Sequence, residues 1–150
     1  MQLHPADSRA MTVADIQLQS IHSVVDDNGT LVVAEVGRQV PFEIARIFSI
    51  SGVGRGEDRG HHAHKKLSQM MICLSGAVEV TVDDGKGRHA LTLDHPAKAL
   101  LVPPGIWAEQ TYGGPEAVLL VLCDRVYEED DYIRDYNDFI TYRSLAGQAK

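Results

Sequence analysis

The chain is expected to fold as an all-β antiparallel sandwich or small barrel, and three observations point there. Short β-branched and apolar runs recur along most of its length, each cut by a turn cluster rich in Gly, Pro, Asp or Asn. No strong helical period appears before the C-terminal segment. The 150 residues and 44% hydrophobic content are enough to fill one core and leave little for a second domain.

The first fifteen residues are polar and aperiodic, so residues 1–15 are expected to be loosely held, with one domain over 16–143 and a tail over 144–150. Order begins near Gln19. Strand-forming runs then follow: SIHSVV, the turn DDNG and TLVVAEV; RIFSIS, QMMICLSG and AVEVTV; the turn DDGKG and RHALTL; KALLVP, IWAEQTY, the turn GGPE and AVLLVLCD. The segment YEEDDYIRDYNDFITYRSL is predicted to carry a helical turn or two, because Tyr132, Tyr136 and Phe139 fall at i, i+4, i+7 on one helical face. The four adjacent carboxylates Glu128 to Asp131 cannot all converge on one ion, so they read as a solvated or subunit-facing surface.

A net charge of −7 disfavours unassisted binding to nucleic acid or to an anionic membrane. Cys73 and Cys123 each sit in an apolar run, which suits buried reduced thiols and a cytoplasmic location. The opening stretch has no apolar core of the kind an export signal needs. Ala117 to Cys123, the longest purely apolar run, is far too short to span a bilayer.

The chemistry concentrates between Gly56 and Gly76. On a strand, residues two apart share a face, so His62 and His64 project into one space while His61 and Ala63 project away. Gly56, His62, His64, Gln69 and Gly76 fall on all five positions of the first cupin signature. Pro103 and Gly105 meet the second signature, which then fails at Ala108, where a histidine is usual. The chain therefore resembles the cupin superfamily, and the resemblance implies a double-stranded β-helix, or jelly-roll barrel. A metal-binding cupin uses three histidines and a glutamate. Here Gln69 and Ala108 replace two of those ligands, so no metal and no cofactor is expected. Imidazoles with ordinary pKa values near neutrality are then available for proton transfer.

Longer blocks, PFEIARIF, RGHHAHKKLSQ, VTVDDG, PPGIWAE and AVLLVLCDRVYEEDDYIRDYNDF, resemble one branch, the dTDP-4-keto-6-deoxyhexose 3,4-ketoisomerases. That resemblance implies an isomerase acting on a dTDP-linked keto-deoxyhexose, with His62 and His64 as the proton-transfer residues. It implies Arg46, Arg59, Lys65 and Arg134 as candidates for the diphosphate, with Arg46, Lys65 and Arg134 the preferred three, because a guanidinium fork suits phosphate oxygens. Trp107 can stack on base or sugar, or serve as a core residue; Gln69 can bond a sugar hydroxyl or orient a histidine. Family members commonly carry tyrosine in the strand after Arg46, whereas this chain has Ser49 and Ser51. A serine hydroxyl, water or His61 is then expected to take that part. Glu109 reads as an orienting carboxylate or a rim charge.

Two other functions compete: a metal-dependent cupin oxygenase or isomerase, its histidines supplemented by Glu57, Glu109 or water, and a non-catalytic sugar-nucleotide sensor. The resemblance implies a homodimer, and a small barrel with a strand-forming N-terminal segment also presents edges that a partner can cover; strand exchange near residues 20–36 is one way to do so.

Overall fold

The computed structural model describes residues 11–148, with side chains through 145. The part of the 1–15 segment before Met11 therefore lies outside the described residues. From Met11 onward the chain is pinned. A 3₁₀ turn over Val13–Asp15 is closed by a Thr12/Asp15 capping box, and the Val13 N–H donates to Asp84 Oδ2 at 2.9 Å.

Twelve strands follow: β1 (Leu18–Ser20), β2 (His22–Asp26), β3 (Gly29–Val33), β4 (Arg46–Ser51), β5 (Asp58–His64), β6 (Gln69–Ser75), β7 (Val78–Asp83), β8 (Arg88–Leu93), β9 (Lys98–Val102), β10 (Trp107–Tyr112), β11 (Val118–Cys123) and β12 (Tyr132–Ile133). Two five-stranded sheets, ordered β1-β9-β6-β11-β4 and β12-β5-β10-β7-β8, face one another, and their named strand pairs are all antiparallel. This is the antiparallel sandwich expected from the strand pattern, in the jelly-roll form that the cupin resemblance implies.

Alternation along each strand fills the space between the sheets with Val78, Val80 and Val82 from one side and Met71, Leu100, Leu119 and Val121 from the other. Each such side chain contributes about 1.5–3 kcal/mol by leaving water. The outer face of the first sheet is covered by Ile21, Val40, Phe42 and Ile44 packing on Met70, Ile72 and Leu122. Gly76, the last glycine of the first signature, turns the chain at φ +69°; a Cβ there would sit 2.8 Å from Ala117 Cα.

The C-terminal segment differs from the expected turn or two. One helix, α1 (Tyr136–Gln148), runs thirteen residues and crosses the 143/144 boundary. Asp135 caps it, its Oδ1 accepting the Asp138 N–H at 2.9 Å. Phe139, fully buried, seats the helix on the outer face of the second sheet against Ala63, Trp107 and Ile133. Tyr132 belongs to β12 rather than to this helix, because its register with His64 wins over the helical spacing. β2 and β3 form a separate hairpin, joined to neither large sheet, with Val24, Val25 and Leu31 exposed. No helix among the described residues is long and apolar enough to cross a membrane.

Candidate active site

The site is built on β5, and a bulge in that strand decides which side chains enter it. Ala108 pairs with His62 and Glu109 with Gly60, so His61 is the extra residue. Gly60 and His61 both take positive φ, +97° and +54°. Without the bulge, Arg59 and His62, three apart, would face opposite sides. With it, Arg59, His62 and His64 all point between the sheets, while His61 points out.

A cavity of about 230 Å³ opens there, lined by Arg59, His62, Gln69, Gln110, Tyr132 and Arg134 and walled by Phe48, Ile50, Met71 and Val121. His64 packs beside it, its ring centroid 4.9 Å from that of His62 in an edge-on arrangement. Tyr132 closes the group, 5.0 Å from the His62 ring and 4.3 Å from the His64 ring.

Hydrogen bonds fix both imidazoles. His62 Nδ1 lies 2.9 Å from the Gly60 carbonyl, which can only accept, so Nδ1 carries the proton and Nε2 keeps its lone pair. His64 Nδ1 donates to Asp131 Oδ2 at 3.1 Å. The His64 carbonyl is held by the Gly105 N–H at 2.7 Å, which gives the Pro103–Gly105 signature a structural purpose. His64 Nε2 and Arg46 Nε are buried without a hydrogen-bond partner.

Burial is the dominant influence on both histidines. It lowers the His62 pKa, the Gly60 bond only partly offsetting it. It drives His64 down to about 4, helped by the neighbouring His62 and opposed by Asp131. Near neutral pH, both rings are therefore uncharged bases. Burial also works against the Arg46 charge, but Tyr132 and the Cys123 sulfur outweigh it and raise the guanidinium above its ordinary value.

Asp131 corrects the reading of the acidic run as surface. The 3₁₀ turn Glu129–Asp131 separates the four carboxylates, leaving Asp131 only 8% exposed. Its Oδ1 accepts the Lys66 N–H at 2.8 Å, and its Oδ2 accepts the Leu67 N–H at 3.3 Å as well as the His64 proton. Glu128 instead pairs with Arg125, and Glu129 with Arg134.

Of the residues singled out in the sequence, Arg59, His62, Gln69 and Arg134 line one cavity, with His64 and Arg46 against it. Lys65 does not join them. It faces an outer groove between β12 and α1, with Asp138, Tyr142 and Leu145. Trp107 is also elsewhere, 4% exposed on the outer face of the second sheet, with Tyr136 and Phe139 at 5.3 and 5.6 Å. The alternative reading of Trp107, a core residue, matches this placement. Ser49 and Ser51 face solvent on β4, and His61 and Glu109 pair on the outside at 3.0 Å. None of the three proposed substitutes for tyrosine that belong to the chain reaches the cavity from where it stands. Tyr132, Asp131 and Gln110 were not foreseen as site residues. Tyr132 had one signal, its spacing two residues before Arg134, which places both on one strand face. Among the described residues, no three His, Cys, Asp or Glu side chains converge as a metal centre would require.

An antiparallel jelly roll with paired imidazoles in its interior is the architecture of a cupin. The family described as FdtA (WxcM-like, C-terminal) matches residues 14–144, and the chain belongs to that family. It is 41% identical over 119 residues to the TDP-4-oxo-6-deoxy-alpha-D-glucose-3,4-oxoisomerase of Aneurinibacillus thermoaerophilus, covering 79% of this chain and 86% of that protein. Among solved structures it is similar to QdtA, a sugar 3,4-ketoisomerase from Thermoanaerobacterium thermosaccharolyticum in complex with TDP. The TM-score is 0.83 and the identity 33%, over 87% of this chain and 95% of that one. A histidine-to-asparagine variant of QdtA, bound to TDP-4-keto-6-deoxyglucose, gives a TM-score of 0.84 at 32% identity, over 87% and 94% of the two chains.

Proposed function

We propose that the protein is a nucleotide-sugar 3,4-ketoisomerase, moving the carbonyl of a dTDP-4-keto-6-deoxyhexose from C4 to C3 through an enediol in deoxysugar biosynthesis. The observation that carries this reading is the pair of adjoining imidazoles, each tautomer set by its own acceptor, with His62 in the cavity wall and His64 packed against it. The C4 carbonyl acidifies the C3 proton. A neutral imidazole removes it, the enediol forms, and the imidazolium so generated returns a proton to C4.

The same cavity supports the substrate assignment. Arg59 and Arg46 have no carboxylate partner among the described residues, and Arg59 shares the cavity wall with Arg134. These guanidinium groups are the diphosphate anchors in this reading, and Gln69 bonds a sugar hydroxyl. No cofactor is invoked. The protein acts in the cytoplasm, where Cys73 and Cys123 stay as free buried thiols. It works as a homodimer, supported by the β2–β3 hairpin that shows Val24, Val25 and Leu31 to solvent; exchange of that hairpin would cover them. Light scattering checks the last point, and a monomer at micromolar concentration would remove it.

Incubation with dTDP-4-keto-6-deoxyglucose in deuterated water tests the activity. A 3-keto product labelled at C4 is expected, and absence of both product and label would refute it.

A further inference from the structure

Three guanidinium groups serve the diphosphate in the substrate assignment above. Arg46 and Arg59 have no carboxylate partner among the described residues; Arg134 has one. Glu129 holds it in a fork, Oε1 accepting from Nε at 2.9 Å and Oε2 from Nη2 at 3.0 Å. The same carboxylate accepts the Tyr127 hydroxyl, and the Tyr127 ring lies under Arg46, its centroid 5.5 Å from the guanidinium carbon. One short segment therefore covers two of the three cations beside a cavity that has to take an anion.

A carboxylate on an anion-binding arginine either aims it or competes for it, and the surroundings decide between the two. Arg134 does not depend on Glu129 for its direction. Its guanidinium lies 4.1 Å from the Tyr132 ring centroid, and cross-strand pairing with His64 fixes Tyr132.

Glu129 is also able to leave. The Arg134 and Glu129 side chains are 52% and 58% exposed, and an exposed ion pair contributes little. The 3₁₀ turn that carries Glu129 is anchored at its other end, where Asp131 accepts from His64 and from the Lys66 and Leu67 amides. Releasing Arg134 thus takes rotation of one glutamate side chain and no movement of the site. The incoming group is the stronger partner, because a diphosphate brings more charge and more acceptor oxygens to a guanidinium fork than one carboxylate does.

Resting on that substrate assignment, we infer that Glu129 is the resident counter-ion of the diphosphate site: it occupies the Arg134 fork until phosphate oxygens displace it. Glu129 thereby tunes affinity for the phosphate-bearing part of the ligand and leaves recognition of the nucleoside alone.

The test measures dTDP affinity by calorimetry and thymidine affinity by ligand-detected NMR, on wild type, Glu129→Gln, Arg134→Gln and the double variant. Glu129→Gln is expected to bind dTDP about two- to fivefold more tightly than wild type, with thymidine affinity unchanged. The gain should shrink as salt is raised and vanish in the Arg134→Gln background, because the competition is for that one fork. Equal dTDP binding by Glu129→Gln would overturn the inference, and so would weaker binding, which would make Glu129 an aiming residue. A gain that survives without Arg134, or that thymidine shares, would overturn it as well, since general repulsion or repacking would then account for it. The isomerase reading fails on different grounds. Absence of a 3-keto product removes that reading, whereas this inference is decided by dTDP affinity alone and falls if wild type does not bind dTDP.

Discussion

The two faces of β5 carry the same functional groups to opposite ends. Outside, His61 meets Glu109 at 3.0 Å in a chain that continues through Arg88 to Asp83 and Tyr136. Inside, His64 meets Asp131 at 3.1 Å. The distances barely differ; the solvent does. The His61 side chain is 49% exposed and that of His64 5%. An exposed pair is screened and worth little, whereas a buried one fixes a tautomer, shifts a pKa and leaves the remaining nitrogen free for chemistry. A histidine beside a carboxylate is thus an exposed, screened pair or a buried, tautomer-fixed one according to which way a single bulge turns it.

Substitutions across that bulge should separate the two faces. His64→Asn is expected to lower kcat by about 10²- to 10⁴-fold while leaving dTDP affinity nearly unchanged, as measured by steady-state kinetics and calorimetry. His62→Asn should behave alike. Asp131→Asn keeps the shape but weakens the hold on Nδ1; a kcat loss of roughly 10- to 10²-fold is expected, and raising the pH should not recover it, because loss of the carboxylate lowers the His64 pKa further. Equal activity in the Asp131 variant would mean that the carboxylate serves only the Lys66 and Leu67 amides.

A smaller effect should appear in stability against pH. Because folding lowers the His64 pKa from 6.5 to about 4, the unfolded chain binds more protons in that interval. The contribution of neutral His64 is therefore fully present above about pH 6.5 and is lost as the pH falls toward 4. Urea titrations of wild type and His64→Asn should converge across that window, and parallel curves would contradict the burial account. The smallest effect belongs outside: Glu109→Gln should change kcat by less than about threefold, as befits a surface pair worth under about 1 kcal/mol.

Much of this was legible in the sequence, for reasons that differ by element. Strands such as RIFSIS and RHALTL announce themselves by length, β-branching and flanking turns, and they fold where those signals put them. The inward pairing of His62 and His64 follows from a period of two. Trp107 was also decidable. Ala108 occupies the inward position of the missing third histidine, so its neighbour on the strand must point out. What stayed hidden depends on distant partners. β12 is two residues long, too short to show any period, and the helical spacing of Tyr132, Tyr136 and Phe139 masked it. Asp131 sits in a run whose composition indicates solvent; only the 3₁₀ turn and the Lys66 and Leu67 amides of the loop after β5 draw it inward. Gly60 hinted at the bulge, but nothing local says that His61 would take a left-handed conformation and bring Arg59 into phase.

The most direct measurement is ¹⁵N NMR of the histidine side chains across a pH titration. His64 should hold its proton on Nδ1 with an unprotonated Nε2 from pH 8 downward and become charged only near pH 4. A ring that titrates close to 6.5, or that carries its neutral-form proton on Nε2, would contradict the account.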